Sequence, residues 1–92
     1  MTGTILYVES DGRHVAAISS KGEVLWNRDP FADAHLELYR TDTPQIVFIG
    51  APLKWMKSYE VGEGGFVTIT YNSSQFGLLN IANGDFRGLG QD

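Results

Sequence analysis

The chain has 92 residues, 42% of them apolar, with two Trp, four Tyr and five Phe; this supplies one hydrophobic core and is too little for two ordinary domains, so a single domain over residues 1–92 is expected. Cysteine is absent, which excludes a disulfide framework, a thiolate zinc site and a cysteine nucleophile and is compatible with a reducing compartment. Eleven acidic against seven basic residues give a formal charge of −4, a sign that disfavours non-specific attraction to nucleic acid and to anionic membranes.

The start, Met1-Thr2-Gly3-Thr4, enters a short apolar run and lacks the basic start and long apolar centre of a secretory signal. No run approaches bilayer length. The expected location is therefore cytoplasmic, with no membrane partner. Thr4 to Glu9 is rich in β-branched, aliphatic and aromatic residues and stops at Ser10-Asp11-Gly12, a turn signal. Arg13 to Ser19 returns as a second strand. Ser20-Lys21-Gly22 then turns into a third, Glu23 to Asn27, and Gly22 takes φ > 0 at little cost. In this hairpin Ala16 to Ile18 and Val24-Leu25-Trp26 supply the apolar surface that an antiparallel pair buries.

Asp29-Pro30 fits a helix start, with Asp29 as the cap and Pro30 at the first helical position. Phe31, Ala34 and Leu38 then share one face, although His35 to Tyr39 also alternates as a strand does. A short helix or an irregular crossing segment is expected, ended by Thr41-Asp42-Thr43-Pro44. The continuous apolar run Gln45 to Ile49 has the pattern of a central strand covered on both faces, closed by Gly50-Ala51-Pro52. Pro52 to Glu60 reads as a helix with Leu53, Met56 and Tyr59 in line, ending before Gly62-Glu63-Gly64-Gly65. Phe66 to Tyr71 alternates with period two, Asn72-Ser73-Ser74 turns the chain, and Phe76 to Ile81 and Asp85 to Arg87 flank Ala82-Asn83-Gly84, in which Asn83-Gly84 is a two-residue hairpin signal. Residues 51–65 are long enough for a crossover, so the flanking strands are expected either parallel or antiparallel. The fold class is α+β: mainly antiparallel sheet in two meanders, six or seven short strands, with one or two short helices in the middle.

The stretch from Tyr7 to Trp26, ending in the polar turn, Gly22 and the pair Leu25-Trp26, resembles a blade repeat of the quinoprotein-type β-propellers. It covers about a fifth of the chain. The resemblance implies four-stranded blades around an axis, of which one such chain supplies at most two, so that a ring would be an oligomer. The stretch from Leu78 to Phe86 is a looser second copy, in which Arg87-Gly88-Leu89 replaces the aliphatic-tryptophan ending. No propeller cofactor residue carries over to this chain.

Catalytic and metal-binding patterns are few. His14 and His35 have no third ligand at a standard zinc spacing. Glu9-Ser10-Asp11-Gly12 has part of a calcium loop's spacing, but Tyr7 and Ile18 stand where acids are needed; a turn in which Asp11 bonds the local backbone explains the same residues. The glycine-rich Gly62 to Gly65 precedes a strand, whereas a phosphate cradle opens a helix. Asn72-Ser73-Ser74 satisfies a glycosylation pattern and reads as a turn. Ser73 and Ser74 have no identifiable base. Glu9, Asp11, Glu37, Asp42, Glu60, Glu63 and Asp85 fit paired carboxylates and a solvated face alike. The reading is no catalytic residue, no metal ligand and no cofactor.

The aromatics carry the remaining signal. Trp55 and Tyr59, four apart on the expected helix and with Phe31 and Tyr39 nearby in the chain, serve either as core or as an exposed anchor patch. Leu53 and Met56 occupy another part of that helix. The first reading of function is a small non-enzymatic protein–protein interaction module that uses Trp55, Tyr59, Asp29, Asp33 and Glu37 toward a protein partner. The second is an acidic inhibitor or decoy, of the kind encoded by mobile elements, blocking a nucleic-acid-binding complex; residues 1–46 carry a net −3. A third is an enzyme or a self-assembling, propeller-like subunit whose site forms between chains.

Overall fold

The computed structural model describes residues 3–60 and 65–91. The glycine-rich connection read at Gly62, Glu63 and Gly64 lies outside the described residues. Strands β1 (Ile5–Val8), β2 (Val15–Ile18) and β3 (Val24–Arg28) form one meander, and β4 (Ile46–Gly50), β5 (Phe66–Tyr71), β6 (Gln75–Asn80) and β7 (Phe86–Gln91) form the second. Every pairing is antiparallel. Helix α1 (Pro30–Asp33) follows β3, and a 3-10 helix, Lys54–Tyr59, lies between β4 and β5 in the chain. The fold is thus the expected α+β arrangement of two antiparallel meanders with two short helices. Among the described residues no helix is long and apolar enough to cross a membrane.

Cross-strand partners share a face, so the register divides each sheet. In the first sheet Leu6, Ala17 and Trp26 are aligned on the inner side, whereas Ile5, Ile18 and Val24 are aligned on the outer side. In the second, Ile69 and Tyr71 on β5 and Leu79 on β6 face inward. The inner faces meet: Val15 from β2 and Phe31 from α1 are buried with Ile69, Tyr71 and Leu79, and Leu6, Trp26, Ile46, Ile49, Val67 and Phe86 pack around them. The rings of Phe31 and Phe86 both meet Tyr71 edge-on, at 5.3 and 6.4 Å.

The two sheets are joined at one corner by directed contacts. The Trp26 indole N–H donates to the Ile81 carbonyl at 2.9 Å. Two residues on, Arg28 donates to the carboxylates of Asp33 at 2.8 Å and Asp85 at 3.1 Å and to the Asn83 carbonyl at 3.3 Å. Gly84, with φ of 80°, lies under the Trp26 ring, where an added Cβ would come within 2.7 Å of it. At another edge the Ile46 N–H donates to the Gly12 carbonyl at 2.7 Å. The crossing segment after α1 is held by buried Gln75, whose amide donates to the Glu37 carbonyl at 2.8 Å and whose Oε1 accepts from the Ser73 hydroxyl.

Four details differ from the sequence expectation. Strand β4 is an edge strand, paired with β5 alone, and Val47 and Phe48 are 62% and 53% exposed. A bulge between Ile46 and Phe48 leaves Val47 without a ladder partner, and such an insertion re-aims side chains out of the sheet. Val24 and Leu25 are likewise exposed, the latter at the bulge opposite Ala17 and Ile18. Helix α1 ends at Asp33, so Leu38 lies beyond it and is exposed. Finally, β6 and β7 are joined through the five residues Ile81 to Asp85. The Asn80 N–H donates to Asp85 and the Gly84 N–H to Asn80, both at 2.8 Å. Buried Ile81 is tied on both sides, to Gly65 through its N–H and to Trp26 through its carbonyl, and Asn83-Gly84 lies inside this wider loop.

Gly77 gives a direct check of the second sheet. A Cβ there would fall 2.2 Å from the Arg87 carbonyl oxygen and 2.7 Å from the Phe86 ring. Gly77→Ala is expected to destabilise the protein by about 3 kcal/mol through this overpacking. Urea unfolding should show a lower midpoint with an unchanged slope.

Candidate interaction surface

The outer face of the second sheet carries Phe48, Thr70 and Phe76 in one cross-strand row and Thr68, Leu78 and Arg87 in the next. The 3-10 helix covers part of this face. Its Met56 is 3% exposed, and Thr68 and Leu78, which point to the same side, are buried too. The spacing of three residues per turn puts Leu53, Met56 and Tyr59 along one ridge, as the sequence pattern suggested, but only Met56 is buried.

Trp55 is 51% exposed. Its indole meets Tyr59 at 6.2 Å and Phe76 at 6.0 Å, with interplanar angles of 85° and 87°. These are the edge-to-face contacts that aromatic quadrupoles favour. The Arg87 guanidinium lies over the Tyr59 ring at 5.6 Å. Leu53, Trp55, Met56, Thr70 and Phe76 bound a shallow hollow of about 260 Å³. Trp55 therefore belongs to both readings at once: one side of the ring is packed and the other faces solvent. Phe76 and Arg87 complete the cluster from strands β6 and β7, brought to the face of Thr70 and Leu78 by cross-strand register.

The acidic residues of the expected patch lie elsewhere. Phe31 of α1 meets Tyr71 on the inner face, whereas Trp55 meets Phe76 on the outer face. The second sheet thus separates α1 from the aromatic cluster. Asp29 is structural: its carboxylate accepts from the Ala32 N–H at 3.1 Å as the helix cap and from Arg13 at 2.8 Å, and its side chain is 14% exposed. Asp33 pairs with Arg28. Glu37 is an exposed residue on the crossing segment. Phe31 is core, and Tyr39 lies beneath the Arg40 guanidinium at 5.1 Å. A second apolar area, made of Ile5, Tyr7, Val24 and Leu25, lies on the outside of the first sheet.

The titratable groups form one local pair. Asp11 accepts from the backbone N–H groups of Arg13 at 2.9 Å and His14 at 3.0 Å, and its second oxygen lies 2.6 Å from His14 Nδ1. These backbone hydrogen bonds, with that of the imidazole, hold the Asp11 carboxyl well below the usual range. The hydrogen bond to Asp11 raises the His14 pKa from its ordinary 6.5. The pair fastens the β1–β2 turn. Among the described residues no group of three His, Asp or Glu side chains gathers as a metal site would require.

Two outcomes follow from this geometry. Because His14 is raised, its contribution to stability is complete below 6.5 and is lost as pH rises through the folded value; Asp11, lowered, contributes above 3.8 and loses its contribution as pH falls through its folded value. An NMR titration should place the His14 midpoint above 6.5, and Asp11→Asn should lower it. For the helix, Met56→Ala is expected to cost about 2–5 kcal/mol in chemical denaturation. Trp55→Ala should cost about 1 kcal/mol, the share of its packed side. Compared with known proteins, the chain matches no family model, no curated protein and no solved structure.

Proposed function

We propose that the chain is a non-enzymatic protein–protein interaction module and that Trp55 and Tyr59, joined by Phe76, are its anchors. The observation that carries this reading is a half-exposed tryptophan fixed edge-on between two aromatic rings above a buried methionine. Large aromatic side chains and arginine dominate binding energy at protein interfaces. A ring already held in place loses little rotamer freedom when a partner closes over it. The adjoining hollow receives one apolar side chain of a partner. The acids Asp29 and Asp33 support this surface indirectly, by fixing α1 and the corner between the sheets, while Glu37 remains available to a partner on the opposite side.

The test compares affinity capture from the native host by the unaltered protein and by Trp55→Ala and Tyr59→Ala. The reading expects a defined protein captured by the unaltered chain and lost, by about tenfold or more in affinity, with both variants while each stays folded and loses only about 1 kcal/mol of unfolding free energy. Identical capture by all three proteins contradicts it.

A second reading is favoured by the apolar outer side of the first sheet. Ile5, Tyr7, Val24 and Leu25 are all more than half exposed, and an apolar sheet face of this kind is a place for another copy to stack, as the propeller-like reading requires. Sedimentation equilibrium should then give a multiple of the chain mass that Tyr7→Lys returns to the monomer. A monomer at all concentrations removes this second reading and leaves the first intact.

A further inference from the structure

We infer that the partner of the Trp55 surface is an acidic polypeptide segment that carries an apolar anchor residue. This rests on the interaction reading above and adds the chemistry of the partner. Residues 47–92 contain three basic side chains, Lys54, Lys57 and Arg87, and all three belong to this surface. Lys54 and Lys57 are exposed one turn apart on the 3-10 helix that bears Trp55, and Arg87 lies over Tyr59. Glu60 is the single carboxylate between Ala51 and Glu60. The chain as a whole carries −4, so cations are gathered here against the overall sign.

Lysines on the helix that borders the hollow, and an arginine over the neighbouring Tyr59 ring, complement a segment with the reverse arrangement, carboxylates flanking one aliphatic or aromatic side chain. The hollow between Leu53, Met56 and Phe76 takes the anchor, and the two lysines and Arg87 meet the carboxylates. The same geometry argues against single-stranded nucleic acid. Successive bases stack on ring faces, but Trp55 stands perpendicular to both Tyr59 and Phe76, and Arg87 covers one face of Tyr59.

The experiment uses fluorescence anisotropy with the full chain and three labelled probes: a peptide alternating Glu and Asp with Leu and Phe, the same peptide with Lys at every acidic position, and an oligothymidine of similar length. The acidic peptide should bind about tenfold or more tighter than the lysine peptide and weaken severalfold between about 50 and about 300 mM salt. The double variant Lys54→Glu, Lys57→Glu, with its fold checked by circular dichroism, should reverse the preference between the peptides, and Trp55→Ala should weaken binding of the acidic peptide. Equal affinity for the two peptides, lost in Trp55→Ala, overturns the acidic partner while supporting the interaction surface itself. Tighter binding of the oligothymidine than of the acidic peptide overturns the inference in favour of nucleic acid. Failure of the acidic peptide to bind also overturns it, and the capture comparison described above then decides the interaction reading separately.

Discussion

The arrangement depends on how Trp26 is seated. It is the one large side chain of the first sheet that both packs into the shared core and makes a directed bond to the second sheet, through its indole N–H and the Ile81 carbonyl. The bond forms because the β6–β7 loop is wide and because Gly84, lacking a side chain, leaves room for the ring. Arg28 then closes the corner with contacts to Asn83, Asp85 and Asp33. The first meander runs only from Ile5 to Arg28, below the roughly 40 residues that a chain usually needs to fold alone. Seated against the larger sheet, its Val15 and Leu6 enter a common core with Tyr71 and Leu79.

This inward packing determines what the outer faces carry. With the inner side of the second sheet occupied by the first sheet and α1, its outer side is left to the short 3-10 helix, which buries Met56 and leaves Trp55 on the rim. Six residues of 3-10 helix cannot cover a four-stranded sheet, so Phe48, Leu53 and part of Phe76 border open surface. Core formation and surface chemistry are therefore divided between the two tryptophans: Trp26 joins the sheets, and Trp55 stands half-exposed on the outer face. The acidic groups are divided similarly. Asp11 and Asp29 serve a turn and a helix cap, while the cations of the second half of the chain gather around the aromatic cluster.

Much of the fold was legible because it is encoded locally. The strands from Ile5 to Arg28 follow from β-rich runs punctuated by Ser10-Asp11-Gly12 and Ser20-Lys21-Gly22, and Asp29-Pro30 specifies the start of α1 through a side-chain cap and a preset φ. What was not legible depends on contacts distant in sequence. An apolar run such as Ile46 to Ile49 has the same composition in a central strand and in an edge strand with a bulge, and only the neighbours distinguish them. Asn83-Gly84 favours a tight turn locally, but it sits inside a wider loop whose Ile81 bonds Trp26 and Gly65, partners distant in sequence. For the surface, Trp55 and Tyr59 were visible as a pair four residues apart, whereas Phe76 and Arg87 join them only through strand register. Asp29 and Asp33 were expected at the same surface; their pairing with Arg13 and Arg28 reflects the corner between the sheets, which the order of residues does not reveal.

The central claim, that the Trp26 corner makes the two meanders one cooperative structure, is tested most directly by native-state amide hydrogen exchange of the unaltered chain and of Trp26→Phe, which keeps an aromatic ring and deletes the N–H that bonds Ile81. The expected result is a loss of about 1–2 kcal/mol in opening free energy shared equally by the most protected amides of β2 and of β5 and β6. A loss confined to the first sheet, with β5 and β6 protected as before, would contradict the account.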